Sequence, residues 1–131
     1  MTNRQAFFSR ALILSVLILL TSVTGVINSQ STSPLAGKRV LYVWGGWMGH
    51  DPDKCRDIFV PWMESEGAKV TVSDNLDAYI KYDLKNEFDL IIQAWTMGTI
   101  TGQQERALLA AVKGGVGLAG WHGGTGDSFR N

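Results

Sequence analysis

A single cysteine, Cys55, among 131 residues excludes a disulfide scaffold and any Cys-rich zinc module. Bulk charge of one sign is missing too. Twelve basic against 12 acidic side chains exclude a nucleic-acid-binding protein that relies on bulk charge. With 45% apolar residues the chain is too hydrophobic for intrinsic disorder, and its length allows one domain at most. There is no internal repeat and no low-complexity run. Acidic side chains are absent before Asp51, whereas Arg4, Arg10, Lys38 and Arg39 precede it. The first thirty or so residues are therefore a different material from the rest.

That first segment has two arginines in Met1–Arg10, then the apolar run Ala11–Leu20 broken only by Ser15, then small polar residues. A positive region, an apolar stretch and a small-residue region describe a secretory signal peptide over residues 1–29. Gly25 and Ser29 are the candidate residues before a cut. The alternative is an uncleaved anchor, since apolar character continues to Ile27, about 17 residues in all and the short limit of a membrane span. Either way the protein is expected to be exported, periplasmic or extracellular, with membrane contact only through this segment. No cysteine directly follows the run, which excludes a lipoprotein anchor. Residues 30–37 read as a linker, and the folded domain as 38–131.

Lys38–Trp44 is a β-branched and aromatic run ending at Gly45-Gly46, a buried strand. Asp51-Pro52 predicts an N-cap with proline in the first turn. Cys55, Ile58, Phe59, Trp62 and Met63 then fall on one helical face, with Gly67 ending the helix. Lys69–Ser73 alternates as a strand does, and residues 75–87 predict a short helical turn and loop. Asp89–Trp95 is apolar nearly throughout, as strands buried on both faces are. Thr101 and Gln104 form a capping box for a helix buried through Ala107, Leu108, Ala111 and Val112. Val116–Gly120 is a small-residue strand. The order predicts an α/β fold, a parallel sheet with helices on both faces. Only four strands are accounted for, so the chain reads as the amino-terminal half of a doubly wound domain.

Ligands of open α/β sheets bind beyond the carboxyl ends of the strands. Three such ends carry unusual residues: Trp44–Asp51, Trp95–Thr99 and Gly120–Gly124. Four of the five tryptophans and both histidines fall there. Aromatic faces with a few polar groups suit sugars, whose C–H faces stack and whose hydroxyls need partners. His122 and His50 with Asp51 are the catalytic candidates, and Trp47, Trp95, Trp121, Gly45, Gly46, Gly123 and Gly124 the substrate-binding ones. The bland readings are that Asp51 is only a helix cap, His50 an exposed loop residue, and Cys55 a buried small hydrophobe. The glycine-rich turns could cradle phosphate, but no G-x-x-x-x-G-K-[ST] sequence occurs. A metal such as zinc could bridge His50 and His122, two ligands against the usual three or four.

The run Lys38–Gly46, followed by His50-Asp51 and later by Gly120-Trp121-His122-Gly123-Gly124, resembles the trehalose-utilisation (ThuA-like) domain family. The resemblance implies a flavodoxin-like three-layer sandwich related to class I glutamine amidotransferases, in a full domain about twice as long as the part present. In those enzymes the corresponding turn reads Gly-x-Cys-x-Gly, with the nucleophile on a strained elbow; His122 stands in the cysteine's place. Without a thiol there, glutamine acyl transfer is not implied. What is implied is carbohydrate metabolism, with trehalose, related glucosides or 3-keto sugars as ligands. The resemblance leaves open whether the chain is a sugar-processing enzyme or a non-catalytic carbohydrate-binding or accessory domain.

Overall fold

The computed structural model describes residues 32–131; the signal or anchor expected over residues 1–29 and the first two linker residues lie outside them. Four strands form one all-parallel sheet: β1 (Arg39–Gly46), β2 (Lys69–Ser73), β3 (Leu90–Thr96) and β4 (Gly117–Ala119). They lie in the order β2-β1-β3-β4. Helix α1 (Pro52–Ser65) joins β1 to β2, the short helices α2 (Ala78–Lys81) and α3 (Leu84–Glu87) join β2 to β3, and α4 (Gly102–Lys113) joins β3 to β4. This is the α/β, flavodoxin-like arrangement expected. Its strand order puts the topological switch point between β1 and β3, where doubly wound sheets of this order hold their ligands.

The two faces of the sheet are covered unequally. Parallel strands need cover on both faces because every second side chain points each way. On one face Leu41, Val43 and Ile91 pack with Tyr79, Leu84, Leu108 and Ala111 of α2, α3 and α4. On the other, Val40, Tyr42 and Ala94 pack with Met63 of α1 and Ala68. Val40 to Val43 of β1 have no exposed surface at all, so β1 is the centre of the fold. Residues 32–37, expected as a linker, hold a turn in which the Ala36 amide donates to Ser33 and the Gly37 amide to Gly67. Leu35 of this turn packs on the α1 face.

Two local expectations are corrected and a third is met. Asp51 precedes α1 but does not cap it with its side chain; its backbone is left-handed (φ 48°, ψ 48°) and its carboxylate pairs with Lys54 at 2.7 Å. The apolar stripe of α1 is not its buried face. Pro52 and Met63 are buried, while Ile58, Phe59 and Trp62 are 66%, 37% and 50% exposed and Cys55 is half-buried. Of the stripe, Met63 enters the core and Phe59 meets other aromatic rings, whereas Ile58 and much of Trp62 face outward. The α4 capping box forms as read, with Thr101 Oγ1 accepting from the Gln104 amide and Gln104 Oε1 from the Thr101 amide. Among the described residues no helix is long and apolar enough to cross a membrane.

Candidate functional site

The carboxyl ends of β1, β3 and β4 meet because parallel strands of one sheet point the same way. After β1 the chain turns sharply. Gly45 and Gly46 have φ of 139° and 79°, values that L side chains rarely adopt, and the Trp47 amide donates to the Thr96 carbonyl at 2.8 Å. A Cβ on Gly46 would overlap that carbonyl, so glycine is required by the closeness of β3. One turn of 3₁₀ helix, Met48–His50, then delivers His50 back over the end of β3.

His50 is half-buried, with Nδ1 3.4 Å from Oγ1 of Thr96, the last residue of β3. Trp47 meets its ring edge-on at a centroid distance of 4.8 Å, and His122 meets it at 5.8 Å. The two histidines, 72 positions apart in the sequence, are thus neighbours. His122 opens a turn of π-helical form, His122–Gly126, and is exposed. The nucleophile elbow suggested by the amidotransferase likeness is strained; this turn is not. Among the described residues the non-glycine positions with positive φ are Asp51 and Met97.

What holds the turn in place is a buried polar network that sequence reasoning missed. Gln93, in the middle of β3, accepts a hydrogen bond from the Tyr79 hydroxyl at 2.9 Å. Its amide nitrogen donates to the Gly124 carbonyl at 2.6 Å and to Ser128 Oγ at 2.7 Å. Burial pushes the Tyr79 hydroxyl above its usual range, keeping it protonated as a donor. Ser128 donates to the same Gly124 carbonyl, and Thr96 donates to the Gly123 carbonyl. Gln93, Thr96 and Ser128 are each at most 6% exposed, so these bonds form out of water. The signal available in the sequence was one polar side chain inside Ile91-Ile92-Gln93-Ala94, a position that burial makes costly unless partners wait for it.

The remaining candidates separate. Trp47, 50% exposed, is the open aromatic surface beside the histidines. Trp95 instead packs on the α4-side core, over Gly45, where a Cβ would come 2.7 Å from its ring; its indole nitrogen is buried without a hydrogen-bond partner. Trp121 turns to the α1 side and stacks on Phe59 at 4.7 Å, with Tyr42 at 6.4 Å. Gly123 and Gly124 are buried. A Cβ on Gly123 would stand 2.8 Å from His50 Nδ1, and one on Gly124 would overlap the Gln93 carbonyl. Their smallness therefore admits the protein's own groups. Asp51 is exposed and held by Lys54, with no bond to His50.

His50 and His122 supply two imidazoles, and the described residues contain no cluster of three or more His, Cys, Asp or Glu side chains that could complete a metal site. The spacing Gly115-x-Gly117-x-x-Gly120 matches a dinucleotide fingerprint in letters only. It runs through β4 itself, not through a turn leading from a strand into a helix, where such glycines would face a pyrophosphate. Two neighbouring imidazoles beside an exposed indole are able to move protons at a ligand's hydroxyl or carbonyl group. A family model described as ThuA, trehalose utilisation, matches residues 39–131. No curated protein and no solved structure was found to match.

Proposed function

The chain belongs to the ThuA family of trehalose utilisation, and on that premise we propose that its rim binds a sugar-derived small molecule and transfers protons on it through His50 and His122. The observation that carries the reading is the pairing of those two rings at 5.8 Å, at the β1/β3 switch point and beside exposed Trp47. A sugar presents an apolar C–H face to an indole and hydroxyl groups to imidazoles, which fits this composition. One imidazole acting as base and its neighbour as acid would account for the pairing.

The test is a pair of substitutions read with trehalose, related glucosides and 3-keto glucosides as ligands. His122→Ala is expected to lower turnover at least ~100-fold, the low end for a general acid/base, while leaving binding and the melting temperature nearly unchanged. Trp47→Ala is expected to weaken binding. A His122→Ala protein of full activity would overturn the acid/base role. Binding lost only with Trp47, in a protein that turns nothing over, would mark a carbohydrate-binding domain instead. We further propose that the Arg-flanked apolar run over Ala11–Leu20 exports the protein. Amino-terminal sequencing of the exported product tests this: a start at residue 1 or 2 would mean an uncleaved anchor and would overturn removal of residues 1–29.

A further inference from the structure

We propose that Thr96 is a positioning residue which fixes His50 as the Nδ1–H tautomer, so that Nε2 is the basic atom offered to the ligand. The inference deepens the proposed proton-transfer role of His50 and rests on it for its meaning, though not for its test.

The number of protons available fixes the direction of both bonds. The hydroxyl of Thr96 has a single hydrogen. Its oxygen contacts two groups, the Gly123 carbonyl and His50 Nδ1. A carbonyl oxygen can only accept, so the contact with Gly123 uses the hydroxyl hydrogen. Thr96 is 1% exposed and Gly123 is buried, so water cannot substitute for either partner. The Thr96 oxygen then has only lone pairs left for His50, and Nδ1 must be the donor. A neutral imidazole has one N–H. With it at Nδ1, the lone pair sits on Nε2, across the ring, where no protein partner is found among the described residues. After Nε2 takes a proton, the Nδ1–H bond to Thr96 persists, so the oxygen supports the neutral and the charged ring alike.

Two features of the backbone make the arrangement rigid. Gly123 has no Cβ, and one placed there would lie 2.8 Å from Nδ1 and 3.0 Å from the Thr96 oxygen, between the two partners. The Trp47 amide is bonded to the Thr96 carbonyl at 2.8 Å, so the segment carrying His50 is tied to the same residue that orients its ring. Thr96 thus joins three chain segments: the turn after β1, the end of β3 and the turn after β4.

The experiment is ¹⁵N–¹H long-range NMR of the histidine side chains in the full chain, at a pH where both rings are neutral. The chain has two histidines, and His50→Gln assigns the pair by loss of one set of signals. In the wild-type protein His50 is expected as the Nδ1–H form. Thr96→Val should shift it toward the Nε2–H form usual for a free imidazole, and Thr96→Ser should restore the wild-type pattern. Wild-type His50 found as Nε2–H overturns the proposal, as does an unchanged tautomer in folded Thr96→Val. If Thr96→Val does not fold, the wild-type and Thr96→Ser spectra decide the matter. Sugar turnover that survives His50→Gln would overturn the functional reading and leave the tautomer result standing, so the two failures are told apart.

Discussion

The two ends of the sheet are built on opposite plans. At the amino-terminal end, where the strands begin, Arg39 clasps Asp89 through Nε at 3.2 Å and a terminal nitrogen at 3.0 Å, and the Arg39 amide adds a third bond at 2.8 Å. Both side chains are partly exposed, and water shares in the interaction. At the carboxyl-terminal end the polar contacts are buried, the backbone is left-handed at Asp51 and Met97, and glycines stand where any Cβ would collide. An exposed ion pair tolerates loss because solvent replaces either partner. A buried network does not, because each group left without a partner bears its full desolvation cost. Backbone strain and tight polar networks concentrate where a site must be held, and they concentrate at the histidine end.

Substitutions can sharpen this contrast, beginning with the largest expected effect. Gln93→Leu keeps the volume of the side chain but leaves the Tyr79 hydroxyl unpaired and takes one bond each from the Gly124 carbonyl and Ser128, which keep only their bond to each other. It should destabilise the domain by roughly 3 kcal/mol, from about 1–3 kcal/mol for the unpaired Tyr79 hydroxyl and about 0.5–1.5 kcal/mol for each of the two other bonds lost, measured by denaturant unfolding. A loss below about 1 kcal/mol would mean that water reaches the network. Next come the glycines. Gly46→Ala meets both a positive φ and the Thr96 carbonyl, and should cost about 2–3 kcal/mol. Gly115→Ala, at the opposite end, meets a positive φ with open space around it and should cost only about 1 kcal/mol. Equal costs at the two positions would break the contrast.

A third, smaller effect is local to α4. Thr101→Ala removes the cap at the Gln104 amide and should cost about 1 kcal/mol of stability. The least is expected at the amino-terminal end, as a dependence on acid. Hydrogen bonds from Arg39 hold the Asp89 carboxyl well below its usual range, at about 2. A depressed carboxylate stabilises the fold fully above its ordinary value near 3.8 and loses that contribution as pH falls toward about 2. Thermal melts between pH 5 and pH 2, in wild type and Arg39→Gln, should therefore converge at the acid end. Curves that stay parallel throughout would remove the ion pair from any role in acid sensitivity.

Much of the fold is legible residue by residue. β2 and the α4 capping box lie where alternation and the Thr101–Gln104 spacing put them, because both depend on neighbours within a few positions. The α1 stripe misleads for the opposite reason. Its spacing predicts a buried face, but which face is buried depends on how much sheet the helix finds opposite it, and Ile58 and Trp62 find little. The rim divides in the same way. Clustered Trp and His residues point to it from the sequence alone, yet Trp95 and Trp121 turn to opposite faces of the sheet and pack against the protein.

The sequence by itself determined the class of fold, the parallel order of the strands and the rim on which His50 and His122 lie, since hydrophobic periodicity and glycine-rich strand ends are local signals. Only the tertiary structure decided that these histidines are neighbours, that Asp51 serves Lys54, and that Gln93 and Thr96 organise the turn carrying His122. The physical reason is separation along the chain. Gln93 meets Ser128 from 35 residues away and Thr96 meets His50 from 46, and such pairings exist only once burial has removed the water that would otherwise compete for every one of those polar groups.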